Sequence, residues 1–140
     1  YWSMQEKSLP LTGTGDETRD FTYVLDLVQG LIKAAYYEDA IGQAFNLASG
    51  KETKIKDMIS MVNNTTGNTS PITEYPPRKW DTKKRLLASI ELAGNLIDYK
   101  PIISFEDGLK ANMEWFKLNW DKIQNVADFP IGMSSAVRRK

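Results

Sequence analysis

Neither cysteine nor histidine occurs among the 140 residues. That double absence removes disulfides, thiol nucleophiles, imidazole general bases and the common zinc sites together. An excess of charge of one sign is lacking too. Eighteen basic residues meet eighteen acidic ones, and the isoelectric point lies near 6.5. Such a balance carries no footprint for a nucleic acid, which is therefore not an expected partner. No apolar run approaches the ~20 residues that cross a bilayer, and residues 1–7 lack the apolar core of a signal peptide. The reading is cytoplasmic, with no membrane partner. A chain that opens on Tyr1-Trp2 is expected to begin inside a longer protein. What remains is ordinary: 41% hydrophobic and 26% charged residues, as in one soluble domain.

The periodicity is informative. Val24, Leu27, Val28, Leu31, Ile32 and Ala35 fall on one side of a helix, the strongest such stripe in the chain. Upstream, residues 2–7 are read as the last turns of a helix and residues 9–12 as a short strand. Downstream, residues 39–42 turn the chain into a short apolar strand at 44–47, stopped by Ser49-Gly50. Thr53 is expected to N-cap a helix that buries Met58, Ile59 and Val62, ended by the polar run 63–68. The three N-x-[ST] matches there, at Asn63, Asn64 and Asn68, read as turn chemistry rather than glycan acceptors. Residues 72–75 suit a strand halted by Pro76-Pro77, and residues 89–96 a short helix. Ser104 with Asp107 caps a last helix that turns Phe105, Leu109, Met113, Phe116 and Trp120 inward. The pattern is α+β, with four helices, several short strands and no internal repeat.

One stretch concentrates chemistry. From Gly13 to Asp26 a glycine-flexed turn is followed by Arg19 and then by the start of the amphipathic helix. An arginine beside the apolar run Phe21, Tyr23 and Val24 needs an anionic partner, and its planar fork fits phosphate or carboxylate oxygens bidentately. Arg78 follows the double proline on a pre-stiffened loop, where it can join Arg19 on a diphosphate while Asp81 accepts from sugar hydroxyls. Taken alone, Arg78 reads as the partner of a surface carboxylate. Gly13-x-Gly15 opens no dinucleotide fingerprint, because the third glycine is replaced by Thr18 and no helix is expected to follow at once. Tyr75-x-x-x-Lys79 has a catalytic Tyr-Lys spacing, but Pro76 and Pro77 forbid the helix that would align the pair. Asp26 is read on the polar side of its helix, as a helix-start stabiliser. Trp115, Phe116 and Trp120 read as core or interface.

Several blocks in order carry a resemblance: Pro10-Leu11, Gly13, Gly15, Arg19-Asp20-Phe21, Tyr23-Val24 and Asp26, then Asn46 and Gly50, then Arg78 and Asp81. Ala93, Ile97, Tyr99 and Pro101 follow, and Asp107-Gly108-Leu109 with Trp115 closes the series. From about residue 8 to 118 the chain resembles the C-terminal half of an extended short-chain dehydrogenase/reductase, the NAD-dependent nucleotide-sugar epimerase/dehydratase family. The resemblance implies an α/β parent in which a small substrate-binding domain, here residues 1–122, is appended to a Rossmann domain, with residues 123–140 as a tail. It implies diphosphate binding by Arg19 and Arg78, ribose binding by Asp81, and a base lying along Leu11 and Thr12. The implied substrate is a UDP- or dTDP-sugar. The implied cofactor is NAD, held by a missing N-terminal domain that also carries the catalytic residues, and a homo-oligomer is expected. Two positions depart from the family: Ser89 stands for its aspartate and Asp98 for its glycine. A free-standing binding module and an oligomerisation scaffold are the competing readings.

Overall fold

The computed structural model describes residues 1–79 and 82–127. Their order is a 3-10 turn Ser3–Gln5, β1 (Pro10–Thr12), β2 (Thr18–Asp20), α1 (Val24–Tyr36), a 3-10 turn Glu38–Ala40, β3 (Glu52–Lys54), α2 (Ile55–Thr66), β4 (Thr73–Tyr75), α3 (Glu91–Ile97), α4 (Phe105–Leu118) and α5 (Trp120–Val126). The architecture is mixed α/β, helices around short strand pairs, as the sequence pattern implies. β1 pairs in parallel with β4, and β2 pairs antiparallel with β3. Among the described residues no helix is long and apolar enough to cross a membrane.

The core is small. Ala93, Ile97 and Tyr99 are buried, with Ala34, Ala40, Phe45, Leu47, Ile90 and Leu96 packed against them. Helix α1 presses its Gly30 side onto Tyr99 and Leu47. Its other side carries Val24, Leu25, Val28, Leu31 and Ile32, all exposed, Ile32 by 65%. The helix forms where the stripe predicts it, yet most of the stripe is uncovered. Tyr99, though surrounded, is satisfied: its hydroxyl donates to the Ala48 carbonyl at 3.1 Å. Burial pushes its phenol above the ordinary value, helped by the Asp26 and Asp20 charges.

Several expectations are corrected. Residues 44–47 form no strand, because among the described residues no backbone pairs with them. Thr53 does not cap α2 but sits in β3 opposite Arg19. The first amides of α2 bond instead to carbonyls of the turn before β2, Ile55 to Glu17 at 2.9 Å and Lys56 to Gly15 at 3.0 Å, which leaves less for a capping side chain to satisfy. The last helix is two helices. The backbone leaves helical geometry at Asn119, with φ −112° and ψ 15°, where the side-chain amide donates to the Trp115 carbonyl at 2.9 Å, and α5 starts anew at Trp120. The first turns are a single 3-10 turn. Asp26, expected on a polar face, is 3% exposed.

Asn63 and Asn64, read as turn residues, lie instead inside α2, which ends at Thr66 before Gly67; the Ser104 cap holds. Ser104 accepts from the Asp107 amide at 3.0 Å. Asn68 is buried, its amide donating to Ser3, to Asn63 and to the Lys7 carbonyl, which suits structural use. Asp98 ends α3 with φ 49°, the left-handed conformation that favours glycine.

Candidate functional site

Leu11, Thr12, Arg19 and Arg78 lie on two short strand pairs and on the loop that follows one of them. Leu11 is buried in β1, and Thr12 stands in register with Tyr75 of β4. The Gly13 amide extends that pairing to the Tyr75 carbonyl at 3.0 Å. The chain then turns through Gly15, at φ 76°. A Cβ there would lie 3.0 Å from Lys56 Cβ and 3.1 Å from Leu11 Cδ1, so both dihedral and space require glycine. β2 follows directly, without a helix. The glycines therefore serve a strand-to-strand turn, and the described residues do not fit the phosphates of a dinucleotide there.

Arg19 is the middle residue of β2, half-buried, opposite Thr53 of β3. Its Nη1 donates to the Thr18 carbonyl at 2.7 Å. The other edge of β2 is occupied as well: the Thr18 amide bonds to the Lys84 carbonyl at 2.9 Å, and the Leu86 amide to the Thr18 carbonyl at 3.2 Å. Thr18 and Arg85 thus form a parallel bridge. Arg78, half-buried, lies three residues beyond β4. The loop that carries it leaves from beside Leu11-Thr12 and returns to the edge of Arg19's strand. Asp81 lies outside the described residues.

Carboxylates pin this patch. Glu52 of β3 accepts from Arg85 Nε and Nη2, both at 2.8 Å, and from the Thr18 hydroxyl at 2.7 Å. Hydrogen bonding from Arg85 first, and from Thr18 second, holds the Glu52 carboxyl below its ordinary 4.5. The Arg85 guanidinium is correspondingly raised by the same pair. A depressed folded value means that the contribution is present above the unfolded pKa and is lost as pH falls through the lower folded one. The bridge is therefore expected to survive acidification through the usual glutamate range. A Glu52 carboxyl carbon that titrates in NMR at or above the free-glutamate midpoint would contradict it. At the neighbouring turn Lys56 donates to Asp16 at 2.6 Å and, by that bond and its charge, lowers the Asp16 carboxyl.

The residues that tie these segments, Asp20, Glu52 and Arg85, were not singled out from the sequence as a group. Their partners lie tens of residues away, and no local spacing announces them.

No protein-family model matches the chain. It is 32% identical over 129 residues to a UDP-glucuronate 4-epimerase of Thermodesulfobacterium geofontis, spanning 89% of this chain and 38% of that protein. Among solved structures, the epimerase Mth375 of Methanothermobacter thermautotrophicus superposes with a TM-score of 0.90 at 44% identity, covering 92% of this chain and 38% of that one. The chain belongs to the NAD-dependent nucleotide-sugar epimerase/decarboxylase family. The epimerase fold extends to the Bordetella bronchiseptica enzyme WbmF, solved in complex with NAD+ and UDP, at a TM-score of 0.74 and 36% identity over 88% of this chain. Within this epimerase family the match falls on the C-terminal part. The chain spans a little over a third of the length of these relatives.

Proposed function

We propose that this chain is the substrate-binding part of an NAD-dependent nucleotide-sugar epimerase or decarboxylase. Arg19 and Arg78 hold the diphosphate, Asp81 holds the ribose, and the base lies along Leu11 and Thr12. One observation supports this most: the loop bearing Arg78 begins beside the Leu11-Thr12 strand and ends hydrogen-bonded to the strand of Arg19. This connection of two guanidinium-bearing segments to the Leu11-Thr12 strand supports a ligand with a charged middle and a flat end. NAD, bound by the part of the protein outside this chain, supplies the hydride acceptor. The residues here bind and orient the nucleotide.

Calorimetry with UDP and UDP-sugars tests the assignment. Affinity near ~1 mM, worth ~4 kcal/mol, is expected of half a pocket. Arg19→Ala is expected to weaken it at least about tenfold, ~1.4 kcal/mol, with the unfolding transition retained. Binding unchanged by Arg19→Ala would remove the diphosphate assignment.

The uncovered side of α1 belongs to the same reading. Val24, Leu25, Val28, Leu31 and Ile32 form the surface on which the cofactor domain docks. Without that domain the chain is expected to self-associate, since contiguous apolar patches of this kind mark interfaces. Sedimentation should show association that Leu31→Glu with Ile32→Glu abolishes. A wild-type chain that stays monomeric at high concentration would contradict the docking role.

A further inference from the structure

We propose that Asp20 is the positioning residue of the anion site, acting through Arg19. The proposal rests on the diphosphate reading of Arg19 given above. Asp20 follows Arg19 on β2, and its carboxylate is used on both oxygens. Oδ1 accepts from the Ser49 amide at 2.9 Å and from the Ser49 hydroxyl. Oδ2 accepts from the Gly50 amide at 3.1 Å and from the Ala88 amide at 3.3 Å. A carboxylate offers about four lone-pair sites, and four donors occupy them.

These donors come from two segments far apart in the sequence. Ser49-Gly50 precedes β3, the strand on one side of Arg19. Ala88 follows Leu86, where the Arg78 loop returns to the other side. Asp20 therefore ties both neighbouring segments to its end of β2, while Glu52, its partner in the register, reaches back to Thr18 and Arg85. Successive residues of a strand face opposite sides. With Thr18 and Asp20 both pinned on one side, β2 cannot roll, and Arg19 is held toward the other. The chemistry requires an acceptor without donors. An asparagine would turn an NH2 group against amides that are themselves donors.

The test uses UDP as the probe and four forms of the chain: wild type, Asp20→Asn, Arg19→Ala and the double variant. Asp20→Asn is expected to weaken UDP binding about tenfold. The double variant is expected to bind no more weakly than Arg19→Ala alone, because Asp20 acts only by way of that guanidinium. Wild-type affinity in Asp20→Asn, or a double loss equal to the product of the single losses, would overturn the proposal. NMR relaxation at Arg19 Nε reads positioning without ligand, and the order parameter is expected to drop in Asp20→Asn. If wild type fails to bind UDP, the nucleotide reading falls while this measurement still decides the role of Asp20: an unchanged order parameter rejects it. Should Asp20→Asn not fold, Ser49→Ala removes a single donor and is expected to weaken UDP about threefold. No change there would overturn the proposal equally.

Discussion

Asp26→Ala is expected to destabilise the chain by about 3 kcal/mol, the sum of two charge-assisted hydrogen bonds at the low end of their range. The carboxylate is buried in the first turn of α1. It accepts from the Ile102 amide at 3.2 Å and the Ile103 amide at 3.0 Å. It therefore joins α1 to the segment that leads into α4. Alanine leaves both amides without their acceptor and opens a void beside them. The low end of the range applies because Ile102 itself is exposed, so water can reach part of the gap. Against a total stability of roughly 5–15 kcal/mol for a domain, and with a core this small, such a loss brings unfolding close to ambient temperature. Urea denaturation should show a lower midpoint at unchanged slope. Amide exchange at Ile102 and Ile103 should accelerate first. A loss below about 1 kcal/mol would mean that solvent replaces the carboxylate fully.

Asp26 also marks where reading the chain reaches its limit. Its place in the first turn of a helix was legible, since helix position follows from the local stripe. Its burial was not, because the stripe reports which residues are apolar and not which side of the helix meets a neighbour. The same division runs through the fold. The Ser104 cap and the glycine turn at 13–15 depend on residues within a few positions, and both were legible. Residues 44–47 look like a strand by composition, but a strand is defined by its hydrogen-bonded partner, and the described residues supply none. In the site, Arg19 and Arg78 stood out through the order of motifs around them. The cradle of Asp20 did not, because Ser49, Gly50 and Ala88 converge only once β2, β3 and the returning loop are assembled.

Helix α1 is where fold and function meet. One side is fastened to the chain by Asp26, by Gly30 and by Lys33, whose ammonium donates to the Asp98 carbonyl at 2.6 Å. The other side is apolar and uncovered. An apolar helix side is covered by another element in its stable setting. That is the expectation for a chain whose relatives are more than twice as long. The fastened side fixes the direction in which the uncovered side faces.

Two glycine substitutions in helices are expected to act with opposite sign, and the larger effect falls on Gly30. In a helix interior glycine is worse than alanine by about 1 kcal/mol, so propensity alone favours both Gly30→Ala and Gly94→Ala. Space separates them. A Cβ at Gly30 would lie 2.8 Å from Leu47 Cδ2 and 2.8 Å from the Tyr99 ring, whereas one at Gly94 would meet only the Tyr99 carbonyl at 3.8 Å. Tyr99 cannot swing aside, being buried and bonded to Ala48. Overpacking costs typically about 1–3 kcal/mol, enough to outweigh the propensity gain. Gly94→Ala should therefore raise the urea midpoint and Gly30→Ala should lower it. Gly30→Val, which adds two further carbons and a branched Cβ against the same ring, is expected to cost about 3 kcal/mol. A stabilised Gly30→Ala would mean that α1 shifts outward freely, and its fastened side would then not be the anchor on which the orientation of its uncovered side depends.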